Sequence, residues 1–287
     1  FILRASAARF IHCVFEHNHA EFRGGAAFVH RYGTTESLTP EFSNCLFLLN
    51  SVGAVPHQTG SAIKSEQMTD INIINCRFEQ NLSGSTTVDL ENTHSQVVNC
   101  LFIANTADSA LSLMGPNKSD VINCTFHNNA NYAMSVNQGI NRIANSIIWG
   151  NGFGINILST PEPIVEFSVI QGGFVGAGNI DLNPLFVDSV AGDYHLTSGS
   201  PCIDTGTSSG APSTDIDGNP RPQGSGFDMG AYEGSGVFDW EEISPSAACP
   251  ARYEHELVAH DGKLYIFGGA ASSGNLSDVW SSTDGMT

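Results

Sequence analysis

Four charged residues with an even spacing are the first candidates for chemistry. Lys64 and Glu66 lie two positions apart in "GSAIKSE", and Asp89 and Glu91 have the same spacing in "TTVDLEN". Residues two apart on a strand point to the same face, so two neighbouring strands would bring one amine and three carboxylates together. Paired carboxylates can act as acid, base or nucleophile in the cleavage of a glycosidic bond. A lyase would need Lys64, the only basic residue of the set, as its base.

The same four residues have two other interpretations. Carboxylates stacked on neighbouring strands could bind calcium, because hard oxygen atoms are its preferred ligands. Alternatively, the residues form a solvated face on which lysine and glutamate pair, which stabilises a protein very little.

A second set of oxygen ligands lies near residue 217. Asp215, Asp217 and Asn219 alternate in "DIDGNPR", a spacing that suits calcium. The segment is not an EF-hand loop, because Pro220 stands where that loop needs glycine and Gly226 stands where it needs glutamate. The alternative is a turn in which Arg221 pairs with the aspartates and closes the end of the preceding domain.

A repeat shows which elements must position these groups. The pattern Cys-x-Phe-x-x-Asn recurs at steps of 22 to 32 residues, and two degenerate copies start at Ser146 and Ser168. A period in the twenties, with insertions in the early copies, is typical of a solenoid. The complete copies are Cys13/Phe15/Asn18, Cys45/Phe47/Asn50, Cys76/Phe78/Asn81, Cys100/Phe102/Asn105 and Cys124/Phe126/Asn129.

Within each copy the apolar residues alternate with polar ones, which predicts short half-buried strands. Ile74, Cys76 and Phe78 alternate with Asn75 and Arg77. A coil of 22 to 24 residues suits a parallel β-helix with three strands per coil. We expect phenylalanine and cysteine to form interior columns and the trailing asparagine to form a hydrogen-bonded ladder at a bend.

The cysteines of the repeat are therefore expected to be buried thiols rather than ligands or disulfides. Stacked side chains point the same way, and the rung spacing exceeds the Cβ separation of about 3.8 Å that a disulfide prefers. No Cys/His spacing typical of zinc occurs. Cys202 and Cys249 lie outside the repeat, and the sequence leaves open whether they pair.

The stacked "NCxFxxN" copies at about residues 5–175 resemble the right-handed parallel β-helices of the pectin-lyase-like superfamily. The following strings, "NIDLNPLFVD", "GDYHLTSGSPCIDTG" and "DIDGNPRPQGSGFDMGAYE", resemble the end region of bacterial β-helix proteins that carry the choice-of-anchor Q domain. The resemblance implies a secreted or surface-attached protein. Most such proteins have no assigned activity, and some members of the wider superfamily are polysaccharide lyases or hydrolases.

The segment after residue 237 has a different character and resembles a Kelch-type propeller repeat. The resemblance rests on Arg252, His255, the strand "KLYIFGG" at 263–269 and "DVWSSTDG" at 278–285. One blade cannot bury its own faces, and propellers use about 4–8 blades, so partner blades are expected beyond Thr287. We predict an all-β chain with a β-helix at 1–234, whose end region is 179–234, and a partial propeller at 235–287.

The overall charge limits the partners of this chain. It carries 11 Lys and Arg against 29 Asp and Glu, a net charge of −18, which disfavours nucleic acid and anionic membrane surfaces. No apolar run reaches the roughly 18 residues of a membrane span. We expect an extracellular or cell-surface scaffold that binds polysaccharide or a surface glycan, with calcium as the one cofactor considered. The alternatives are a polysaccharide lyase or glycoside hydrolase using Lys64, Glu66, Asp89 and Glu91, and a spacer that presents the propeller.

Overall fold

The computed structural model describes residues 2–4, 7–30, 39–53, 59–67, 70–82, 84–234, 250–260, 263–272 and 274–282. The chain divides into two compact units, Phe1–Val237 and Phe238–Thr287. The described residues form strands and turns, and no helix occurs among them. The predicted all-β class is therefore confirmed.

The first unit is a parallel β-helix in which each coil adds one strand to each of three seven-stranded sheets. We call them sheet 1, sheet 2 and sheet 3. Sheet 1 contains Ile2–Arg4, Ala27–His30, Ile63–Glu66, Thr86–Glu91, Ser109–Met114, Tyr132–Asn137 and Phe153–Ile157. Sheet 2 contains Arg9–Ile11, Glu41–Ser43, Ile71–Ile74, Ser95–Val98, Ser119–Ile122, Arg142–Ala144 and Ile164–Glu166. Sheet 3 contains Val14–Glu16, Leu46–Leu48, Arg77–Glu79, Leu101–Ile103, Thr125–His127, Ile147–Trp149 and Val169–Ile170.

Shorter strands complete both units. In the first unit, His19–Ala20 pairs with Ser51–Val52 in parallel, and Phe186–Asp188 pairs with Asp193–Leu196 in an antiparallel hairpin. In the second unit, Lys263–Phe267 lies between Glu256–His260 and Val279–Ser282 in an antiparallel sheet. Ala270–Ala271 and Gly274–Asn275 form a further antiparallel pair.

The register between coils follows the repeat residue by residue. Phe78 pairs with Phe47 on one side and Phe102 on the other, so the phenylalanines of sheet 3 form the predicted interior column. Their rings stack with centroids 4.5 to 4.8 Å apart and are buried from Phe47 to Phe126. Close aromatic stacking of this kind removes a large apolar area from water at every coil.

The trailing asparagines form the predicted ladder at the bend between sheet 3 and sheet 1. Each side-chain amide donates to the Oδ1 atom of the next coil's asparagine at 2.8 to 3.0 Å. The same amide also donates to the phenylalanine carbonyl of the preceding coil at 2.8 to 2.9 Å. Asn50, Asn81, Asn105 and Asn129 are almost completely buried, so this ladder satisfies polar groups that water cannot reach.

The asparagine that precedes each cysteine forms a second column, which we call the bend column. Its members lie between sheets 2 and 3 and adopt left-handed backbone angles, with φ between 49° and 54°. Asparagine tolerates this conformation better than most residues because its side chain can bond nearby backbone groups. The bend column consists of Asn44, Asn75, Asn99, Asn123 and Asn145.

The cysteines of the repeat are free thiols, as predicted, and all but Cys13 are buried. Each Sγ donates to the carbonyl two residues earlier at 3.2 to 3.5 Å, as Cys100 does to Val98. Cys202 is also a free thiol, and burial raises its pKa to about 12. Cys249 lies outside the described residues.

Residues 179–234, which we call the tail, fold back over the outer face of sheet 3. Leu101 and Ile103 point outward from that sheet, yet they are buried against Tyr194, Ala231 and Tyr232 of the tail. A second cluster joins Ile147 and Val169 of sheet 3 to Cys202 and Met229. The tail therefore lies along the side of the solenoid, which differs from the expected closure of its end by a turn at 215–221.

The tail is fixed to the bend column by hydrogen bonds at three successive coils. Asn145 exchanges two bonds of 2.7 and 2.8 Å with the backbone of Thr207. Asn123 donates to the carbonyls of Asp228 and Gly230, and Asn99 donates to that of Thr214. The asparagines that turn the chain thus also hold the tail.

Asn81→Ala tests how much the ladder contributes to stability. The substitution removes the acceptor of the Asn50 backbone N–H, one of the two acceptors of the Asn50 side-chain amide and a donor to the Phe47 carbonyl, so we expect a loss of about 3 kcal/mol of unfolding free energy. Cys76→Ala removes packing and the weak hydrogen bond from Sγ to the Ile74 carbonyl, and it should cost about 1–2 kcal/mol. Urea unfolding of both variants measures the two losses. A loss below that of Cys76→Ala would show that the ladder is not a main source of stability.

Candidate functional site

The outer face of sheet 1 brings together the charged residues that the sequence singled out. Lys64 pairs with Asp89 in register, and both point away from the core residues Ile63 and Val88. The Lys64 ammonium lies 2.8 Å from Asp89 Oδ2 and 2.6 Å from Glu91 Oε2. Only 3% of the Lys64 side chain is exposed, whereas 45% of that of Glu91 is. Three of the four predicted residues therefore form one compact ion cluster.

Glu66, the fourth predicted residue, belongs to a different set of ion pairs. One terminal nitrogen of Arg23 donates to both carboxylate oxygens at 2.7 and 2.8 Å. The imidazole of His30 lies 3.4 Å from Glu66 Oε1. No sequence pattern pointed to Arg23, which precedes the strand Ala27–His30 and reaches Glu66 from the neighbouring coil.

The charge state of Lys64 bears on the predicted chemistry. Burial alone would lower the pKa of Lys64, but the carboxylates of Asp89 and Glu91 outweigh it and hold that pKa above its ordinary value. The ammonium thus keeps its proton, whereas a lyase base must be able to accept one. The catalytic role of Lys64, Glu66, Asp89 and Glu91 stays a prediction, and the mutual pairing of Lys64, Asp89 and Glu91 argues against it.

Beyond the ion cluster, the outer face of sheet 1 continues as a strip of small polar residues. Asp89 is followed in register by Ser112, Ser135 and Asn156 on successive coils. Asp89 Oδ1 and Ser112 Oγ are buried and accept no hydrogen bond from the residues that the structure describes. We call the run from Lys64 to Asn156 the polar strip.

An aromatic pair borders the polar strip at its last coils. The rings of Tyr132 and Phe153 lie 4.9 Å apart, and Phe153 is 58% exposed. Sequence reasoning missed this pair, although both residues open their strands at matching positions of neighbouring coils, in "YAMSVN" and "FGINI". The repeat alignment could have found them if aromatic residues outside the core columns had been compared between coils.

The tail residues predicted to bind calcium are engaged by the protein itself. Asp215 Oδ1 accepts the backbone N–H groups of Asp217 and Asn219, at 3.0 and 2.8 Å. Asp215 Oδ2 accepts the Asn219 amide and the Glu233 N–H, at 3.1 and 3.0 Å. These four bonds stabilise a turn and occupy the carboxylate that a cation would need, which disfavours the calcium interpretation.

The alternative interpretation predicted that Arg221 pairs with the aspartates, but its partner is a glutamate. Its buried guanidinium forms an ion pair with the buried carboxylate of Glu233. It also donates to the Gly230 carbonyl at 3.0 Å. Across the described ranges, no group of three or more His, Cys, Asp or Glu side chains is placed to hold a metal ion.

A bridging histidine ties two parts of the tail together. His195 Nδ1 lies 2.6 Å from Asp193 and Nε2 lies 2.8 Å from Asp217, while the ring packs 4.1 Å from that of Tyr232. Burial alone would lower the pKa of His195, but the hydrogen bonds to the two carboxylates outweigh it and raise that pKa. The imidazolium form connects the 186–196 hairpin to the turn at 215–219.

One arginine of the second unit links the segment before its described strands to the ends of two of those strands. Arg252 donates to both carboxylate oxygens of Asp278, at 2.6 and 2.9 Å, and to the Gly268 carbonyl at 2.8 Å. Trp280 Nε1 also donates to Asp278, and the hydrogen bond from Arg252 contributes most to holding the Asp278 pKa far below its usual range. Gly268 and Gly269 both have positive φ, so the predicted glycine pair forms the turn after the strand.

Comparison with known proteins identifies one short stretch of the chain. Residues 251–281 match the Kelch motif, in agreement with the resemblance seen in the sequence. No curated protein matches the chain. No helix in the described part of the chain is long and apolar enough to cross a membrane.

Lys64→Met tests the internal pairing of the ion cluster. The substitution keeps the length of the side chain but leaves the buried Asp89 carboxylate without its cation, and we expect a loss of about 3–5 kcal/mol in unfolding free energy. Glu91→Gln alters a half-exposed partner and should cost less than about 1 kcal/mol. Urea unfolding distinguishes the two. Equal small losses would show that Asp89 and Lys64 do not depend on each other.

The pH dependence of stability tests the His195 bridge. Because the folded-state pKa is raised, the contribution of the bridge is complete below the unfolded pKa of about 6.5 and is lost as the pH rises through the folded value. The difference in unfolding free energy between the natural protein and His195→Gln should therefore shrink from about pH 5 to pH 9. NMR titration of the imidazole gives its pKa directly. A difference that is constant or grows with pH would contradict the bridge.

Proposed function

We propose that this protein is a non-catalytic carbohydrate-binding or adhesion scaffold of the cell exterior, and that the polar strip of sheet 1 is its glycan surface. The observation that carries the proposal is that Lys64, Asp89 and Glu91 pair with one another, while the last coils of the strip carry the exposed ring of Phe153. A glycan has polar hydroxyl groups and an apolar C–H face, so it needs both kinds of partner. The partly exposed Asn156 supplies the first, and Phe153 supplies the second.

The shape of the strip also supports binding of a chain rather than of a compact ligand. Its residues lie on successive coils, so they repeat along the helix axis at the interstrand spacing of about 4.8 Å. An extended glycan lying along that axis would cross one coil after another at this spacing. The net charge of −18 favours neutral glycans over polyanionic ones.

The enzymatic alternative has weaker support. A polysaccharide lyase or glycoside hydrolase needs one group that donates a proton to the substrate and another that accepts a proton or attacks as a nucleophile. Here Asp89 and Glu91 both bind the Lys64 ammonium, and Asp89 is only 4% exposed. The charged groups are therefore occupied by their mutual ion pairs, which leaves them poorly placed to act on a substrate.

The proposal also includes the family relationships of the two units. The regular three-strand coils support kinship with the pectin-lyase-like proteins, and the tail strings support a choice-of-anchor relationship. In the second unit, Leu257, Val258 and Val279 are exposed on strands of one small sheet, which supports its being one blade of a larger propeller. A location outside the cell follows from these resemblances and is proposed with them.

Phe153→Ala tests the glycan surface. We expect about a tenfold loss of affinity, because the exposed ring would no longer stack on a sugar face. Ile140→Ala is the matched control, since Ile140 is 65% exposed but lies outside the polar strip. Binding is measured by calorimetry on xylan, galactomannan and polygalacturonate, with product release followed in the same samples.

Two outcomes would contradict the proposed function. One is the absence of binding to all three polysaccharides, and the other is equal loss of affinity in Phe153→Ala and Ile140→Ala. Release of an unsaturated product that absorbs in the ultraviolet would favour the lyase instead.

A further inference from the structure

A cleft on a different face of the solenoid from the polar strip is the basis of a second assignment. It lies between the outer face of sheet 3 and the turn of the 186–196 hairpin, and its volume is about 640 Å³. That size is within the range of about 300–1,000 Å³ usual for small-molecule sites. Arg77, Glu79 and His127 line it from sheet 3, and Val190 and Tyr194 line it from the tail.

The floor of the cleft presents a hydroxyl group without a protein partner. Tyr194 is only 4% exposed, and its ring packs between those of Phe186 and His127 at 5.4 and 5.5 Å. No hydrogen bond joins its hydroxyl to the residues that the structure describes. Burial raises the Tyr194 pKa, so the group stays protonated and can both donate and accept.

The ion pair of Arg77 and Glu79 beside Tyr194 has no net charge, and some of its polar atoms make no hydrogen bond to the residues that the structure describes. Arg77 Nε donates to Glu79 Oε1 at 2.6 Å, and this is the one bond between the two side chains. The terminal nitrogens of Arg77 and Glu79 Oε2 have no hydrogen-bond partner among the described residues. The pair thus offers donors and an acceptor without a net charge, which disfavours an anion or a cation as the ligand.

His127 adds a neutral acceptor. Its Nδ1 lies 2.8 Å from the Trp149 carbonyl, so Nδ1 carries the proton and Nε2 has a free lone pair. Burial lowers the His127 pKa, which keeps the ring neutral at pH 7. Ile103, Ala104 and Val190 contribute apolar surface to the same cleft.

We propose that this cleft binds a single neutral sugar residue or a polyol of similar size. Donors and acceptors that are balanced in charge suit vicinal hydroxyl groups, and the apolar wall suits the C–H face of a pyranose ring. The assignment does not rest on the proposed function, because the polar strip belongs to sheet 1 and uses other residues. It adds a second and smaller carbohydrate site.

Tyr194→Phe tests the cleft without disturbing the fold, because the hydroxyl makes no bond to the protein. Tyr232→Phe is the matched control, since Tyr232 is also 4% exposed and does not line the cleft. D-glucose, D-galactose and L-rhamnose are titrated into the isotope-labelled full chain, with D-galacturonate as the anionic comparison, and shifts of the His127 and Tyr194 resonances are followed by NMR. We expect saturable binding of a neutral sugar and about a fivefold loss in Tyr194→Phe alone.

Glu79→Gln tests the charge balance. It keeps the size of the side chain but leaves the charge of Arg77 uncompensated. The affinity for galacturonate should therefore rise relative to the affinity for a neutral sugar. The assignment is overturned if no neutral sugar shifts the cleft resonances, if galacturonate binds the natural protein more tightly, or if both tyrosine variants behave alike. Phe153→Ala should leave the cleft titration unchanged, which separates this result from the test of the polar strip.

Discussion

The amide ladder at the bend between sheets 3 and 1 is the constraint on which the solenoid depends. Each asparagine side chain accepts from one neighbouring coil and donates to both, and it can do so only if successive coils are in register. A slip of one residue would leave several buried polar groups unpaired, each at a cost of about 1–3 kcal/mol. Coil lengths vary from 22 to 32 residues, while the ladder keeps the same geometry at the bend.

This fixed register explains why binding groups accumulate on the outer faces. Interior columns must stay apolar to pack, and one of them repeats the same ring in Phe47, Phe78, Phe102 and Phe126. Outer positions carry no such restriction, so one sheet presents an ion cluster and a polar strip while another is covered by the tail. Residues that differ between coils, rather than those that recur, therefore carry the chemical character of each surface.

The sequence predicted those features that recur along the chain and few of those that bring distant segments together. The ladder columns, the outward pairing of Lys64 with Asp89, and the glycine turn of the second unit all have a local pattern behind them. The position of the tail has none: Arg221 contacts Asn99, which lies 122 residues earlier. The burial of Leu101 on the outer face of sheet 3 could not be predicted, because alternation alone cannot show what covers a strand. The cleft around Tyr194 was missed for the same reason.

The attachment of the tail to three successive asparagines also has a mechanical consequence. A pull along the helix axis would load the hydrogen bonds between coils one rung at a time, because the coils are stacked in parallel and their interstrand hydrogen bonds run along that axis. The tail crosses the rungs that contain Asn99, Asn123 and Asn145 and is bonded to each of them. It therefore shares the load in shear over all three coils at once. The tail thus reinforces these three coils against extension along the axis.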